Sequence, residues 1–431
     1  MAGYKKRVAD ALLAEKLSYM GAVLVQGPKW CGKTTTSRQI VRSEVSLDDS
    51  VKGKTNRIIA ETRPDKLLEG ATPRLIDEWQ EGPLFLKRAR SLGMDKQFDT
   101  PGFYFQWHFL ETCNLKCRHC YQKGASLCGS NPTLIDKTIG QIEKALEVWK
   151  VNGRVSITGG EPFLEIDTLA NILRRLNSIK RITNLGVLTN GTLIDDAAIG
   201  MLKGIPKLGE VQVSFDGSTE LLHDATRGVG SFNAALSGLR RLSDNGVPTA
   251  IMFTATQINK RDVCAIIDFA ERENVAAITI ERYTPTGGEH DPLALSAEDV
   301  RDIFAEVLRR KRELKHAGCS LKVRTSRPLW NLLDESVGGV CPVGYSCLTI
   351  MHDGTMYPCR RLPIPLGTIQ DDGIFKIWYT SPILRQLRKR QDVDGCVGCR
   401  HEHLCGGCRA AAYAMTGNFM GKDPMCWKGV M

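Results

Sequence analysis

Three cysteines lie within the ten-residue stretch "CNLKCRHCYQ", where Cys113, Cys117 and Cys120 follow a C-x3-C-x2-C spacing. The stretch comes directly after the apolar run "FYFQWHF", which predicts a β-strand. A [4Fe-4S] cluster takes four thiolates, so a loop that offers three leaves one iron open to bind a small molecule. The alternative is a zinc knuckle that takes a fourth ligand such as His119 or a distant cysteine. The spacing differs from that of paired C-x2-C knuckles, which favours the cluster.

A second group of cysteines lies near the C-terminus, where eight of the fifteen cysteines fall between Cys341 and Cys426. Clustered thiols in a reducing compartment usually bind metal and seldom form disulfides. Eight thiolates are enough for two fully ligated cubane clusters or, alternatively, for two structural zinc ions. The cysteines that match no ligand pattern are Cys31, Cys128, Cys264 and Cys319.

A phosphate-binding pattern occurs near the N-terminus, where "GPKWCGKTTT" gives G-x4-G-K-T between an apolar strand and a helix start. In such a loop the backbone amides cradle phosphates, the lysine reaches the outer phosphates and the threonine holds magnesium. A second strand-like piece, "PRLIDEWQ", places Asp77 and Glu78 where a P-loop ATPase has its magnesium-bridging and water-orienting acids. The predicted nucleotide contacts are Gly27, Gly32, Lys33, Thr34 and Asp77.

Together "GPKWCGKTTT" and "LLEGATPRLIDEWQ" resemble the N-terminal part of prokaryotic AAA-type ATPases, over about residues 4–88. The resemblance implies ATP and magnesium as ligands. Only about twenty residues separate Glu78 from the next domain, which leaves no room for the sensor residues, arginine finger and lid of that family. This missing part favours the alternative interpretation, a degenerate packing module.

The residues that could do chemistry are positioned by alternating β-rich runs and amphipathic segments from residue 103 onward. A helix is predicted where Ile135, Ile139, Ile142, Leu146 and Trp149 recur in steps of four and three. Repeated β/α units predict a parallel sheet with right-handed crossovers and a reactive site at the carboxyl ends of its strands. The strand candidates are "FYFQWHF", "RVSITGG", "NLGVLTNG", "EVQVSFDG", "TAIMFTAT" and "AAITIERY". The polar or glycine-rich residues at their carboxyl ends are Gly159-Gly160-Glu161-Pro162, Asn190, Ser214 and Asp216.

The C-x3-C-x2-C loop after the first strand, with "GGEP" after the second, strongly resembles the radical S-adenosylmethionine (SAM) enzymes over about residues 100–290. The resemblance implies that the three loop cysteines hold a cluster whose open iron is chelated by the amino and carboxylate groups of SAM. An electron from the reduced cluster then yields a 5′-deoxyadenosyl radical. The implied SAM contacts are Gly159, Gly160, Glu161 and Pro162 at the amino group, Ser214 and Arg227 near the ribose and carboxylate, and Tyr121 near the adenine.

The C-terminal pattern, with "DGTMYPC" and "CGGCRAAAYAMTGN", resembles the SPASM extension of radical SAM enzymes that modify peptides, proteins or peptide-derived cofactors. Three [4Fe-4S] clusters are thereby implied in all. The implied ligands are Cys341, Cys347, Cys359 and Cys408 for the first auxiliary cluster, and Cys396, Cys399, Cys405 and Cys426 for the second. One departure is the C-x2-C spacing of Cys405 and Cys408, where the family usually has C-x3-C.

The resemblance favours a maturase that abstracts hydrogen from a residue of a peptide or protein and receives electrons from a donor such as flavodoxin or ferredoxin. The alternative is a sulfatase-maturase-like or other cofactor-modifying radical SAM enzyme. Sulfatase-maturing members have an acidic residue after the third cysteine of the extension, whereas Arg360 and Arg361 follow Cys359 here. Two further hypotheses are a P-loop nucleotide-binding protein with structural zinc sites and a metal-stabilised peptide-binding scaffold without catalysis.

Composition indicates an ordinary globular protein, because 42% of the 431 residues are hydrophobic and 25% are charged. The basic runs "LRRKRELK" and "LRQLRKRQ" have leucines at helical spacing and no interleaved aromatics, so the net charge of +10 indicates solvated helix faces more than a nucleic-acid surface. No apolar run approaches the ~20 residues that span a bilayer. The N-terminus lacks a secretory signal, so the predicted location is the cytoplasm, with no membrane partner.

The predicted fold class is α/β, with a partial (β/α)6 TIM-type barrel, a small cysteine-rich C-terminal iron-sulfur domain and an N-terminal partial P-loop α/β module. The truncated P-loop module is expected over 1–90 and the radical SAM barrel over 100–290. A connecting helical segment is expected over 291–335 and the auxiliary iron-sulfur domain over 336–431.

Overall fold

The structure is a computed structural model that describes residues 4, 5, 7–17, 23, 25, 32–62, 65–78, 102–122, 129–288, 290–389, 392–402 and 404–428. The chain forms two compact units, Met1–Asp99 and Thr100–Met431. Three residues named above, Gly27, Cys31 and Cys128, lie outside the described residues. Every helix in the described ranges is too short or too polar to cross a lipid bilayer.

The first unit contains two short strands and four helices in its described part. The strands β1 and β2 pair in parallel, and Ser46 lies opposite Asp77 at their carboxyl ends. Parallel strands need a crossover connection, which helices supply here. A small core of Leu47, Ala60 and Leu67 is buried beneath them. The elements are α1 Val8–Leu17, α2 Lys33–Ser37, β1 Ser43–Ser46, α3 Gly53–Thr62, α4 Asp65–Leu68 and β2 Arg74–Asp77.

The second unit is built on a ten-stranded sheet. Its strands β3 to β8 are all parallel and pair in chain order, as repeated β/α units require. These are the six strands that the sequence predicts. Their bounds are β3 Phe103–His108, β4 Gly153–Thr158, β5 Ile182–Thr189, β6 Leu208–Ser214, β7 Thr249–Ala255 and β8 Ala277–Arg282.

Helices follow the strands along the chain, and each helix buries its own apolar side. The first of them, α5, begins after Asn131, whose side chain accepts a hydrogen bond from the Leu134 amide, and it has Pro132 in its first turn. Its apolar positions, including Ile135 and Ile142, are buried as the sequence pattern predicts. The helices are α5 Pro132–Trp149, α6 Ile166–Ser178, α7 Asp196–Lys203, α8 Glu220–Arg227, α9 Ser231–Asp244, α10 Val263–Arg272 and α11 Ala297–His316.

The remainder of the chain extends the same sheet at both ends. The strand β9 Lys322–Arg324 pairs in parallel with β8 and lies in the segment predicted to be a helical connection, which also contains α11. At the other end, β10 Cys347–Ile350 pairs in parallel with β3. The antiparallel strands β11 Thr355–Tyr357 and β12 Gly367–Thr368 follow it. The last helices are α12 Gly373–Thr380, α13 Pro382–Leu387 and α14 Arg409–Thr416.

One face of the sheet carries buried polar side chains. Gln106 and His108 alternate with Phe105 and Trp107 along β3, and all four are buried. On β8, Glu281 is likewise buried next to Ile280. Because successive residues of a strand point to opposite faces, the polar residues share one face and the apolar residues pack on the other.

Candidate functional site

The three predicted ligand cysteines lie in residues 109–122, here called the cysteine loop, which begins at the carboxyl end of β3. Two backbone hydrogen bonds connect this loop to other units of the barrel. The Phe109 amide donates to the Thr158 carbonyl at the end of β4 (3.1 Å), and the Arg118 amide donates to the Thr226 carbonyl in α8 (2.9 Å). The loop is therefore fixed at the edge of the sheet where the predicted reactive site lies.

The glycines after β4 lie against the backbone of the cysteine loop. A Cβ atom at Gly160 would lie 2.2 Å from the Thr112 carbonyl oxygen, and one at Gly159 would lie 2.5 Å from the Leu110 carbonyl oxygen. The Glu161 amide donates to the same Thr112 carbonyl (2.9 Å). Only glycine permits this approach, so the Gly-Gly pair positions the cysteine loop directly.

The Glu161 side chain is completely buried and joins two loops. Its Oε1 accepts hydrogen bonds from the Phe163 amide (3.1 Å) and the Thr189 hydroxyl (2.7 Å), and its Oε2 accepts one from the Asn190 amide (2.7 Å). Burial raises the pKa of Glu161 to about 7, although these donors oppose the rise. A carboxylate offers about four acceptor positions, so among the described residues one remains for a further donor such as an amino group.

The thiols of the three loop cysteines are close enough for the charge of one to change the pKa of another. Burial raises the pKa of Cys117 to about 11 against the opposing charge of Arg227, and Cys120 and Cys113 raise this pKa further. The side-chain Nδ2 of Asn190 lies 3.9 Å from Cys113 Sγ, and Arg227 Nη1 lies 3.9 Å from Cys117 Sγ. Cysteines that bind a metal are thiolates, and three thiolates at this site would repel one another. A cation bound among them would compensate their negative charges.

Arg227 is held beside Cys117 by the buried carboxylate of Asp216. Its Nε donates to Asp216 Oδ2 (2.6 Å), and the Thr254 amide donates to Asp216 Oδ1 (2.9 Å). His119 Nε2 lies 3.3 Å from Asp216 Oδ2. Burial alone would raise the pKa of Asp216, but Arg227 and His119 outweigh it and hold this pKa below its usual value. The arginine that the resemblance predicts near the SAM carboxylate is thus also a neighbour of Cys117, a predicted cluster ligand.

The other predicted SAM contacts follow the carboxyl ends of three strands. Tyr121 closes the cysteine loop after β3, and its ring meets the His108 ring edge-on with centroids 6.1 Å apart. Pro162 opens a short 3₁₀ helix, Pro162–Glu165, after β4. Ser214 is the last residue of β6. The structure therefore brings the predicted contacts to the same edge of the sheet.

The thiols assigned to the second auxiliary cluster are also electrostatic neighbours. Burial raises the pKa of Cys405 to about 12, and the charges of Cys426 and Cys396 contribute to the rise. Cys399 in turn raises the pKa values of both Cys396 and Cys426. The four cysteines that the resemblance groups as this ligand set lie close to one another.

The thiols assigned to the first auxiliary cluster lie among arginines. Cys347 is buried on β10, with its Sγ 3.7 Å from the Pro358 carbonyl oxygen. Burial lowers the pKa of Arg361, but the charges of Glu281, Cys408 and Cys359 outweigh it and raise this pKa above its ordinary value. The assigned ligands are Cys341, Cys347, Cys359 and Cys408.

The buried ion pairs of two residues at the end of β8, Glu281 and Arg282, were missed by sequence reasoning. Arg282 forms a fork with Asp423, in which Nη1 donates to Oδ1 (3.0 Å) and Nη2 contacts Oδ2. Glu281 accepts from Arg327 Nε (2.6 Å) and Arg361 Nη2 (3.2 Å). The signal that could have revealed them is the charged pair Glu-Arg at the carboxyl end of an otherwise apolar strand run, "AAITIERY".

In the first unit, the two residues predicted to hold magnesium are in contact. The Thr34 hydroxyl lies 3.1 Å from Asp77 Oδ1 and 3.2 Å from Oδ2. Gly32 precedes α2 in the left-handed region, with φ of 83°, and Lys33 is the first residue of that helix. Gly27, which begins the predicted phosphate-binding loop, lies outside the described residues.

The donor set at the cysteines fits iron-sulfur ligation. All thirteen described cysteines are free thiols, eleven of which belong to the three predicted ligand sets. Within the described ranges, no three His, Cys, Asp or Glu side chains converge on a position for a single metal ion. A four-iron cubane is larger than one ion and spaces its thiolates farther apart. The residues that would hold the clusters are the eleven cysteines already named.

Comparison with protein families assigns two domains to the second unit. Residues 107–270 match the Radical SAM superfamily, and residues 341–409 match the SPASM iron-sulfur cluster-binding domain. The first match contains the cysteine loop, Glu161 and Arg227, and the second contains seven of the eight C-terminal cysteines. The matched domains are those of SAM- and iron-sulfur-dependent proteins.

Two curated relatives are similar over most of their length. An AdoMet-dependent heme synthase of Methanosarcina barkeri is 25% identical over 341 residues, which are 74% of this chain and 95% of that protein. The mycofactocin maturase MftC of Mycobacterium ulcerans is 28% identical over 378 residues, which are 83% of this chain and 92% of that protein. Both relatives are enzymes, and so is this chain.

The fold is similar to that of solved SuiB structures from Streptococcus suis. The structure bound to S-adenosylmethionine has a TM-score of 0.62 and 18% sequence identity, and the match covers 88% of each chain. The structure bound to the precursor peptide SuiA has a TM-score of 0.60 and 17% identity, with 87% of this chain and 89% of that chain covered. The fold is thus a mixed α/β fold with a TIM-like radical SAM core and a C-terminal SPASM domain.

Proposed function

We propose that this enzyme, whose chain carries a radical SAM domain and a SPASM domain, abstracts hydrogen from a residue of a peptide or protein. The observation that carries the proposal is the three-thiol cysteine loop at the carboxyl end of β3, next to Glu161, Asn190 and Arg227. The peptide substrate is supported by one relative that is named a maturase and by the SuiB structure that contains its precursor peptide.

The SAM cluster and SAM, when bound, supply a 5′-deoxyadenosyl radical that removes a hydrogen atom from the substrate. Cys113, Cys117 and Cys120 would hold the cluster and leave one iron for SAM. Glu161 would accept a hydrogen bond from the amino group of SAM, and among the described residues its fourth acceptor position is available for that contact. Arg227, oriented by Asp216, would stabilise the negative charge of the Cys117 thiolate.

The C-terminal cysteines would hold two auxiliary [4Fe-4S] clusters, partitioned as the resemblance implies. The second set is supported by the charge of Cys426, which raises the pKa values of both Cys396 and Cys405 and so indicates that these thiols are near one another. The common neighbour Arg361 supports the placement of Cys359 and Cys408 in one set. These clusters would hold the substrate or accept the electron that remains after hydrogen removal, and flavodoxin or ferredoxin would supply the electron for SAM cleavage.

The substrate class is tested with SAM, dithionite and candidate peptides, in particular precursor peptides encoded near this protein. We expect at least one peptide to accelerate 5′-deoxyadenosine formation and to change mass. Reconstituted enzyme that forms 5′-deoxyadenosine at the same rate with every peptide or protein offered would contradict the peptide substrate. That result would leave SAM cleavage itself intact.

A second candidate is a radical SAM enzyme that modifies a cofactor. It is favoured by the similarity to an AdoMet-dependent heme synthase. Sulfatase maturation is disfavoured because Arg360 and Arg361 occupy the positions after Cys359 where an acid is expected in that group. The peptide assay separates the two candidates, because a cofactor-modifying enzyme would respond to a small molecule and to no peptide.

For the first unit, we propose a magnesium-nucleotide site on the contact between Thr34 and Asp77. A Mg²⁺ ion takes oxygen ligands, which this hydroxyl and carboxylate supply. Equilibrium dialysis with MgATP is expected to show binding that Asp77→Asn weakens at least about tenfold, because the variant loses the anionic magnesium ligand. Equal retention of MgATP by the wild type and by this variant would favour the degenerate packing module.

A further inference from the structure

The two arginines that follow Cys359 contact the first and the last strand of the barrel. Arg360 Nη1 donates to Gln106 Oε1 on β3 (2.8 Å), and Arg361 Nη2 donates to Glu281 Oε2 on β8 (3.2 Å). These strands are the first and last of the six β/α units, so two consecutive arginines connect the ends of the barrel. Their side chains lie on the face that carries the buried polar residues.

Most of the charges in this region are compensated. Glu281 is buried and forms ion pairs with both Arg327 and Arg361. Cys359 and Cys408 add negative charge beside Arg361, and Cys341 does so beside Arg327. Arg282 is paired with Asp423. These arginines therefore balance the carboxylates and the thiolates of the first auxiliary ligand set.

Arg360 differs from the other arginines of this region. Among the described residues, no carboxylate oxygen lies within 4 Å of its guanidinium nitrogens, and its hydrogen-bond acceptor, Gln106, is neutral. The nearby His108 is neutral too, because burial and the charges of Arg360 and His352 lower its pKa to about 3. The charge of Arg360 helps to lower the pKa of Glu281, but that carboxylate is bound directly by Arg327 and Arg361. The half-buried guanidinium of Arg360 therefore has no carboxylate of the described residues bound to it, which leaves it able to bind a further anion.

A second unmatched donor lies next to it. The Nε of Arg361 is buried and has no hydrogen-bond partner in the part of the chain that the structure describes. The Gln106 side chain that binds Arg360 has its Nε2 3.2 Å from His108 Nε2, and the His108 ring meets the Tyr121 ring edge-on. Arg360 is therefore connected, through Gln106 and His108, to the residue that follows Cys120.

We propose that Arg360 and Arg361 form a carboxylate-binding subsite and that the substrate presents a carboxylate to it beside the cysteine loop. The guanidinium group of Arg360 can bind both carboxylate oxygens, and the open Nε of Arg361 supplies a further donor. The inference rests on the proposed function, since it concerns the substrate of the same site. It restricts that substrate to molecules that have a carboxylate near the atom that loses hydrogen.

The test uses the full chain, reconstituted with iron and sulfide and saturated with SAM. The probes are 3-phenylpropionate and its neutral amide, with dissociation constants from saturation-transfer NMR. Two dipeptide pairs identify the source of the carboxylate. Acetyl-Gly-Phe is compared with its C-terminal amide, and acetyl-Asp-Phe-amide is compared with acetyl-Asn-Phe-amide. We expect wild-type protein to bind the acid of at least one pair about tenfold more tightly than its neutral partner.

The variants separate a carboxylate site from compensation of cluster charge. Arg360→Gln is expected to lower the acid preference to about one, whereas Arg360→Lys retains part of it because the charge remains. The control is Arg240→Gln, which removes an arginine that pairs with Glu273 on the outer surface, and it should keep the full preference. Iron is measured on each preparation, so that loss of a cluster is recognised.

Equal binding of acid and amide by the wild type, or no binding of any acid, would overturn the inference. Full acid preference in Arg360→Gln would overturn it as well. Formation of 5′-deoxyadenosine by the same wild-type preparation is measured in parallel. If the wild type cleaves SAM but shows no acid preference, only the carboxylate subsite is wrong. If it does not cleave SAM, the proposed function fails whatever the probes show.

Discussion

At the scale of single residues, Arg227 shows how burial determines what a side chain can do. The family resemblance predicts that this arginine lies near the SAM carboxylate, and the structure adds a buried partner, Asp216, and a neighbouring thiol, Cys117. The fully buried Asp216 and nearly buried Arg227 compensate each other's charge. Removing one partner leaves the other charged in a low-dielectric environment.

We therefore predict that Asp216→Asn destabilises the protein strongly. The substitution keeps the shape of the side chain but leaves Arg227 without its counter-ion, which typically costs about 3–5 kcal/mol. The midpoint of urea unfolding, followed by tryptophan fluorescence, measures the loss. Glu273→Gln is the matched control, because its partner Arg240 is largely exposed and such a pair contributes only about 0–1 kcal/mol. Similar midpoints for the two variants would contradict the account of the buried pair.

A pH dependence is predicted for SAM binding. Burial raises the pKa of Glu161 to about 7, above the ordinary value for glutamate. The folded protein therefore favours the protonated form of Glu161. As the pH rises from the ordinary pKa of glutamate through about 7, the contribution of Glu161 to the free energy of unfolding falls. The amino group of SAM needs the ionised carboxylate as its hydrogen-bond acceptor, so protonation of Glu161 should lower the affinity for SAM by about tenfold per pH unit below 7.

Equilibrium dialysis of SAM against the reconstituted protein between pH 5.5 and 7 measures this effect. Glu161→Gln resembles the protonated state and should bind SAM weakly at every pH in that range. A wild-type affinity that stays constant across the range would show that Glu161 does not bind the amino group of SAM.

The sequence predicts the ligand cysteines but not the ion pairs near them. The spacing of Cys113, Cys117 and Cys120 is local and characteristic, so it can be recognised without a fold. The contact between Arg282 and Asp423 joins residues 141 positions apart, and neither belongs to a motif. This pair forms only because the fold brings the C-terminal segment to the end of β8, and no local sequence pattern predicts that contact.

At the scale of elements, the turn after β4 positions the cysteine loop. We predict that Gly160→Ala lowers the iron content from about twelve to about eight per chain, because the SAM cluster carries four of the irons. The added Cβ would lie 2.2 Å from the Thr112 carbonyl oxygen and 2.4 Å from that of Glu111, so the loop backbone must shift. Iron and acid-labile sulfide on anaerobically reconstituted protein measure the change.

The matched control for this substitution is Gly140→Ala in α5. An added Cβ there would meet nothing within 4 Å, and alanine is the better helix former by up to about 1 kcal/mol. This variant should keep all its iron and be slightly more stable. Full iron content in Gly160→Ala would mean that the turn does not position the ligand loop.

The six barrel strands could be predicted because each is a β-rich run of six to eight residues bounded by helical segments. The strands β9 and β10 could not, because they contain three and four residues and owe their conformation to pairing with β8 and β3. Short strands have weak intrinsic preferences, so tertiary contacts decide their conformation. For the same reason the sequence did not show that the cysteine-rich segment extends the barrel sheet.

At the scale of the whole molecule, the chain consists of two units with separate sheets. All eleven predicted cluster ligands lie in the second unit, and the Methanosarcina barkeri relative matches only 74% of this chain. We predict that a protein of residues 100–431 keeps its iron and forms 5′-deoxyadenosine from SAM at a rate close to that of the full chain. Loss of iron or of SAM cleavage on removal of the first unit would show that this unit is required for the radical chemistry.

The central claim is that the cysteine loop holds a cluster that cleaves SAM. The most direct test is 5′-deoxyadenosine formation by dithionite-reduced, reconstituted protein, compared with a variant in which Cys113, Cys117 and Cys120 are all alanine. We predict equal amounts of 5′-deoxyadenosine and methionine from the wild type and none from the variant, which should retain about eight irons. A wild type that holds about twelve irons yet forms no 5′-deoxyadenosine, or a variant that forms as much as the wild type, would contradict the account.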